Sequence, residues 1–206
     1  MEKRDAEESA DSFSNGEREA GGLLSRLEEL DRGAMRFLYL RFRNPVFDIL
    51  MPFLSVVANK GLIHIAAGMV MMVFGGSAIQ RAGASMLAAA GAAGFLTEVP
   101  IKRLWKRKRP FVVMDEIVPK VPHKRLVRRP SFPSGHSAGY FSCAASLSVC
   151  FPAWSVALLL TAALAAYSRI YNGVHYPSDV LVGSLIGGVS GFALTPVFLK
   201  LVAGVF

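Results

Sequence analysis

Ser168-Arg169-Ile170-Tyr171-Asn172-Gly173-Val174-His175-Tyr176-Pro177-Ser178-Asp179 decides how this chain is read. An arginine, a histidine and an aspartate stand between two apolar stretches, 153–170 and 178–204. Ionisable side chains near lipid are expensive, so where they interrupt apolar segments they generally serve chemistry. Asn172-Gly173 and Tyr176-Pro177 are turn signals, and they fold the two apolar stretches back on each other.

Working outward, the same punctuation recurs at Asn44-Pro45, Asn59-Lys60-Gly61, Gly75-Gly76, Arg109-Pro110 and Phe151-Pro152. Six apolar segments lie between the marks: 45–58, 62–77, 82–101, 136–151, 153–170 and 178–204. The first is short for a hydrocarbon layer of about 30 Å unless residues before Pro45 extend it. Backbone polar groups cannot be left unpaired in lipid, so each segment is expected to be helical. Small residues crowd Ala82 to Gly94 and Gly183 to Gly188, which lets helices approach closely. Residues 23–43 set Leu23, Leu24, Leu27, Leu30, Phe37 and Leu38 among charges and read as an amphipathic helix lying along the interface. Residues 1–22 read as a polar, disordered tail without a cleavable signal peptide, and 44–206 as one membrane domain. The expected fold is all-α: a polytopic membrane bundle of about six transmembrane helices with an N-terminal interfacial helix.

Composition agrees. The 206 residues are 52% hydrophobic yet carry a net charge of +8, which suits one membrane domain better than a soluble protein. The charge is local: 1–34 holds five Lys/Arg against ten Asp/Glu, and 102–130 holds eleven Lys/Arg against Asp115 and Glu116. That basic run lies between apolar stretches and offers few stacking aromatics, which argues against nucleic acid. Cys143 and Cys150, seven apart on one helix face, form neither a disulfide framework nor a metal knuckle.

Span counting brings the polar residues together. Lys102 and Arg109 end the third segment, His136 opens the fourth, Arg169 closes the fifth, and Asp179 opens the sixth after His175. Each hairpin reverses direction, so all six reach one membrane face. Lys102, Arg109 and Arg169 are fixed cations, and an arginine fork matches phosphate oxygens. Ser134 and Gly135 precede a helix whose N-terminus favours an anion, and Gly135 allows close approach of the backbone. Two histidines can divide attack and protonation between them. Asp179 can hold one ring nitrogen of His175 so that the other faces the reacting atom.

These residues resemble the type 2 phosphatidic acid phosphatases, the membrane lipid phosphate phosphatases related to vanadium-dependent haloperoxidases. Lys102 with six residues before Arg109-Pro110, then Pro133-Ser134-Gly135-His136, then Ser168-Arg169 with five residues before His175 and three before Asp179, match that family's three motifs in order. The resemblance implies a six-helix bundle whose site lies at one membrane face. It implies His175 as the nucleophile forming a phosphohistidine, Asp179 as its orienting carboxylate, and His136 as the acid that protonates the leaving oxygen. Lys102, Arg109, Ser134, Gly135 and Arg169 would bind the substrate phosphate. No metal or other cofactor is implied, and the one carboxylate in the motifs is too few to cage Mg²⁺.

The expected protein is therefore a multi-pass enzyme of the bacterial inner membrane. It would hydrolyse a phosphate monoester or diphosphate of a lipid, with polyprenyl diphosphate, phosphatidylglycerophosphate and phosphatidic acid as candidates. A non-hydrolytic lipid-phosphate binding or transport protein is the alternative, and a vanadate-dependent haloperoxidase a more distant one. The basic 102–130 loop argues for a cytoplasmic site by the positive-inside rule. Several of its cations are accounted for by phosphate binding, so the external face is expected. The remaining polar residues have plainer readings. Lys106-Arg107-Lys108 anchor to anionic headgroups. Glu98 pairs with Lys102 one helical turn on. Asp48 bonds to backbone or a neighbouring helix, and Trp105 sits at the interface. His64 is an ordinary helix residue and His123 a loop residue. Lys124, Arg125, Arg128 and Arg129 lie in a loop near the site and attract either membrane surface or substrate.

Overall fold

The structure is a computed structural model that describes residues 2–57 and 61–203, with side chains described for 22–56 and 61–203. Its described residues are helical or irregular. The helices are α1 (Glu2–Arg41), α2 (Pro45–Val57), α3 (Leu62–Phe74), α4 (Ser77–Leu96), α5 (Lys102–Leu104), α6 (Pro110–Val113), α7 (Gly135–Cys150), α8 (Ser155–Tyr171) and α9 (Pro177–Leu201). A π-helical turn, Thr97–Ile101, joins α4 to α5.

Ser77–Leu104, Pro152–Tyr171 and Pro177–Leu201 are long and apolar enough to cross a membrane. α2 and α3 are apolar but shorter, at 13 residues each, and α7 has 16. The six apolar segments expected from sequence thus coincide with helices, while among the described residues three have the length and hydropathy of a full span. The third starts at Ser77 rather than 82, because Gly75 and Gly76 already break the chain there and Gln80 and Arg81 are tolerated inside the helix.

α7 is the centre of the bundle, packed against α4, α8 and α9. Its low hydropathy follows from that position. Ser137, Ser142, Ser146 and Ser148 are buried beside Ala138, Ala144 and Ala145. The Ser142 and Ser148 hydroxyls donate to Gly139 and Ala144 carbonyls at 3.0 and 2.7 Å, and Thr195 of α9 donates to Ser146 at 2.7 Å. Small polar side chains can be buried at low cost when each finds such a partner. α9 meets α7 along Gly183, Gly187 and Gly191. A Cβ at these positions would collide with the carbonyl oxygens of Ser134, Ala138 and Ser142 respectively. This stripe at every fourth residue lets two backbones touch.

Large apolar side chains point the other way. Phe53, Leu62, Val73, Phe74, Leu160, Leu185 and Val189 are exposed. Small and hydrogen-bonded inside with large and apolar outside is the distribution that lipid, rather than water, permits.

On α1, Met35 and Tyr39 turn inward and are buried, and Asp31 shares their face at a spacing of four. Leu23, Leu24, Leu27, Leu30 and Phe37 face outward. The side chains of 1–21, where the polar tail is expected, lie outside the described residues. At the other end of the helix, Asp48 of α2 accepts from Tyr171 of α8 at 2.7 Å and from Lys120 at 2.6 Å. Cys143 is buried and Cys150 half-buried, both as free thiols.

Candidate active site

The helical backbone ends at Leu104, and 105–109 is irregular. Pro110 disfavours the helical region for the residue before it, and Arg109 is accordingly extended at φ −75° and ψ 155°. Extended backbone sends alternate side chains to opposite sides. Arg107 and Arg109 therefore point into the protein, whereas Lys106 and Lys108 are exposed. Arg109, 3% exposed, donates to the carbonyls of Val174 at 2.8 Å and of Arg129 and Pro130 at 3.2 Å each. The same guanidinium lies 3.1 Å from Nε2 of His175. Burial, and then the neighbouring Arg169 charge, lower its pKa to about 10.

His175 sits on the tight turn between α8 and α9. The Arg169 carbonyl at the end of α8 accepts from the N–H groups of Val174 and His175, at 3.1 and 3.3 Å. Gly173 has φ +74°, and a side chain there would run into Ile117. The buried imidazole places Nδ1 3.4 Å from Oδ2 of Asp179. Burial, followed by the charges of Arg109, Arg169 and Lys102, holds its pKa well below the usual histidine value. Burial and these charges disfavour the protonated ring.

Asp179, fully buried in the first turn of α9, has every oxygen engaged. Oδ2 accepts the Tyr176 N–H at 2.9 Å and the Ser131 hydroxyl, and Oδ1 accepts from Arg107 at 3.0 Å. Arg107 also donates to Ser178 Oγ at 2.8 Å, pairs with Asp31 of α1 at 2.7 Å, and stacks 3.8 Å above the Tyr176 ring. Burial alone would lower the Arg107 pKa. The Asp179 and Asp31 carboxylates outweigh it and raise the value. Asp31 in turn accepts from the Ser178 N–H at 3.0 Å and hydroxyl at 2.5 Å.

The other half of the site is arranged differently. Ser134 caps α7, its Oγ accepting from the Ser137 N–H at 3.3 Å and hydroxyl at 2.9 Å. Its own N–H is committed to the Asp179 carbonyl at 2.9 Å, so Ser134 ties α7 to α9 and retains only its hydroxyl hydrogen for a ligand. Lys102 is bonded to Glu98. Arg169 is buried; it donates to Ser55 Oγ of α2, and its Nε has no partner. Nε2 of His136 is likewise buried and unpartnered. Among the described residues neither Arg109 nor Arg169 forms an ion pair. From His136 the ring of Tyr140 is 6.5 Å away, and that ring is 5.4 Å from His64. Tyr140 and His64 line an apolar groove of ≈ 530 Å³ with Leu54, Ile63, Leu158 and Ala162.

The structure brings the eight residues expected from sequence to the same end of the bundle, and adds others. Arg107 is the correction: it is expected among three anchoring cations, and instead it grips Asp179. Pro110 makes Arg109 extended and so groups residue 107 with it, but nothing in the charge run says that this side faces inward. Ser131 and Ser55 carry no signal, because a serine in a loop or an apolar helix is unremarkable. Asp31 shares a helix face with Met35 and Tyr39, which names the face and not the partner. Among the described residues no group of three His, Cys, Asp or Glu side chains could hold a metal ion. The donor set is instead built for an anion.

Known proteins share this arrangement in part. Undecaprenyl-diphosphatase of Sulfolobus acidocaldarius is 41% identical over 63 residues, 30% of this chain and 31% of the relative. Lipid A 4'-phosphatase of Bacteroides thetaiotaomicron is 39% identical over 74 residues, 35% of this chain and 33% of the relative. The matched segments span about a third of the length of these curated relatives. The crystal structure of Aquifex aeolicus LpxE superposes with a TM-score of 0.65 at 25% identity, over 81% of this chain and 92% of that one. The PAP2 superfamily pattern matches residues 82–203, which contain Lys102, Arg107, Arg109, Ser134, His136, Arg169, His175 and Asp179. More than half of the sequence and the whole of its cation–histidine cluster fall within that match, and the chain belongs to the PAP2 superfamily.

Proposed function

We propose that this membrane protein is a lipid phosphatase that hydrolyses a phosphate monoester or diphosphate through a phosphohistidine intermediate. The observation that carries the reading is a pair of buried guanidiniums, Arg109 and Arg169, without ion-pair partners among the described residues and close to His175. Burying an uncompensated charge costs several kcal/mol, so such a pair implies an anionic ligand. Phosphoryl oxygens match the arginine fork and would be shared with Lys102 and the N-terminus of α7.

The chemistry follows from the atoms. Asp179 faces Nδ1 of His175, which favours the tautomer protonated there and leaves the lone pair on Nε2. Arg109 donates toward that lone pair at 3.1 Å. When phosphate enters, Arg109 shifts to its oxygens and frees Nε2 to attack phosphorus. The Nε2–P bond forms as the bond from phosphorus to the lipid oxygen breaks, and His136 delivers a proton to that oxygen. Water then attacks phosphorus, returns a proton to His136 and releases phosphate as the P–N bond breaks. Lys102, Arg109, Arg169, the Ser134 hydroxyl and the Gly135 amide hold the charge that develops on the phosphoryl oxygens. These cations supply the role a metal would play, and both oxygens of Asp179 are already taken by protein donors. The proposed enzyme is metal-independent.

The groove beyond Tyr140 is open to an apolar chain. The exposed apolar faces and the six apolar helices support a six-span bundle with α1 along the interface; the site is assigned to the external face on the separate ground that several cations of the 102–130 loop are used for phosphate rather than as topology signals. Undecaprenyl and lipid A phosphates, named by the relatives, join the candidate substrates. Phosphate release with chelator present, by wild type and His175→Ala, tests the reading across polyprenyl diphosphate, phosphatidylglycerophosphate and phosphatidic acid. Release by wild type, reduced at least a thousandfold in the variant, is expected. Binding without release would favour a carrier of lipid phosphates. The same assay with a water-soluble short-chain substrate on right-side-out and inverted vesicles locates the site, and activity confined to inverted vesicles would place it inside.

A further inference from the structure

Glu98 lies in the π-helical turn that joins α4 to α5, a turn that also contains Pro100. Its carboxylate is bonded to Lys102. It also stands over the first residue of α7: a Cβ built on Gly135 would lie 2.5 Å from Glu98 Oε1 and 3.7 Å from Lys102 Nζ. The carboxylate is close enough to Arg109 to act on that guanidinium's charge. A carboxylate therefore rests against the lysine and the helix N-terminus, within electrostatic reach of the arginine assigned above to phosphate. Its side chain is 42% exposed while that of Lys102 is 12% exposed, so Glu98 can withdraw toward solvent and leave the lysine in place. π-turns of this kind widen a helix locally and recur at functional sites.

We propose that Glu98 is an internal anion that occupies the phosphate position in the substrate-free protein and is displaced when a phosphoryl group enters. The proposal rests on the phosphate-site reading and goes beyond it by giving Glu98 a positioning role. Glu98 keeps Lys102 directed at the subsite while no ligand is present. It also competes with any anion that arrives, so the apparent affinity falls by the fraction of time the subsite is open. The competition acts on product as well as substrate, and the return of Glu98 helps inorganic phosphate to leave. Phosphate held by several cations would otherwise dissociate slowly.

Titration of inorganic phosphate into detergent-purified wild type, Glu98→Gln, Glu98→Ala, Glu98→Asp and Lys102→Met tests this, with KM and kcat for a lipid phosphate alongside. Phosphate is expected to bind the Gln and Ala variants roughly threefold to tenfold more tightly than wild type. KM should fall, and kcat should fall with it as release slows. Glu98→Asp keeps the charge but draws it back by a methylene, and it too is expected to bind phosphate more tightly. An aspartate variant with wild-type affinity, beside tighter Gln and Ala variants, would reduce Glu98 to a field effect and overturn displacement. If Glu98 serves only to brace Lys102, phosphate binds all three variants more weakly, as it does Lys102→Met, and the proposal is wrong. Wild type that binds no phosphate and hydrolyses no lipid would overturn the phosphate site itself, a result distinct from either of these.

Discussion

The two halves of the site are built on opposite rules. Around Asp179, every charge has its counter-charge and its hydrogen bonds: Arg107 bridges Asp179 and Asp31, while Ser131, Tyr176 and Ser178 complete the set. Around Arg109 and Arg169, two buried cations have no ion-pair partner among the described residues, and Nε of Arg169 and Nε2 of His136 bond to nothing. The first half is complete without a ligand except at Nδ1 of His175, which faces Asp179 at 3.4 Å and makes no hydrogen bond. The second is complete only with one. A site that must orient a histidine and also accept a charged group benefits from this division, because the orienting carboxylate is fixed before the anion arrives and need not reorganise during reaction.

The comparison breaks first at Arg107. In Arg107→Met, Asp179 keeps its Ser131 and Tyr176 bonds but loses its Arg107 ion pair, leaving a buried carboxylate that turns away or takes up a proton. A loss of about a hundredfold in kcat is expected, the usual cost of one preorganised group, with KM little changed. Steady-state kinetics on the variant checks it. A matching rise in KM instead would move Arg107 to the phosphate half. Lys106→Met and Lys108→Met, whose side chains are exposed, serve as controls.

The next effect falls on the scaffold common to both halves. Ser134 opens α7 and Asp179 opens α9, and the two are joined where Gly183 and Gly187 let the helices touch. Gly187→Ala forces a methyl against the Ala138 carbonyl. A Cβ there would sit 2.1 Å from that oxygen, so the helices must part by roughly an ångström, with a loss of at least about 1–3 kcal/mol in stability. Thermal unfolding in detergent measures this, and Gly188→Ala, where a Cβ meets nothing within 4 Å, should be near neutral.

The smallest effect separates the charges of the two halves by pH. Folded His175 stays neutral because it is buried and faces Arg109, Arg169 and Lys102, while the unfolded chain titrates near the ordinary value of 6.5. Below that value the unfolded state binds a proton that the folded state refuses, so stability falls as pH drops through this window. The contribution is at most about 1.4 kcal/mol per pH unit. In His175→Asn, which cannot take the proton, the decline between pH 6.5 and 5 should be shallower by about that amount. Equal slopes in the two proteins would mean that His175 is charged in the folded state.

Much of this was legible from the chain. Turn signals and apolar lengths place the six apolar helices to within about five residues, and parity of the segments brings Lys102, Arg109, His136, Arg169, His175 and Asp179 to one end. Arg107 was hidden among Lys106 and Lys108, because a charge run does not say which member turns inward. Only the extended backbone from Trp105 to Arg109 separates them. Asp31 was hidden for a different reason: helical periodicity groups it with Met35 and Tyr39 but is silent about a partner 76 positions away.

The sequence by itself determined the helices, the inward glycines of α9 and the residue types gathered at one end, because period, turn chemistry and hydropathy are local properties that survive without a fold. The tertiary structure decided which of those charges are neutralised and which are left waiting. It pairs Arg107 with Asp31 and Asp179, leaves Arg109 and Arg169 without ion-pair partners among the described residues, and lays Glu98 over Gly135. Charge compensation depends on distances of a few ångströms between segments far apart in the chain, and those distances exist only once α1, α4, α7 and α9 have packed.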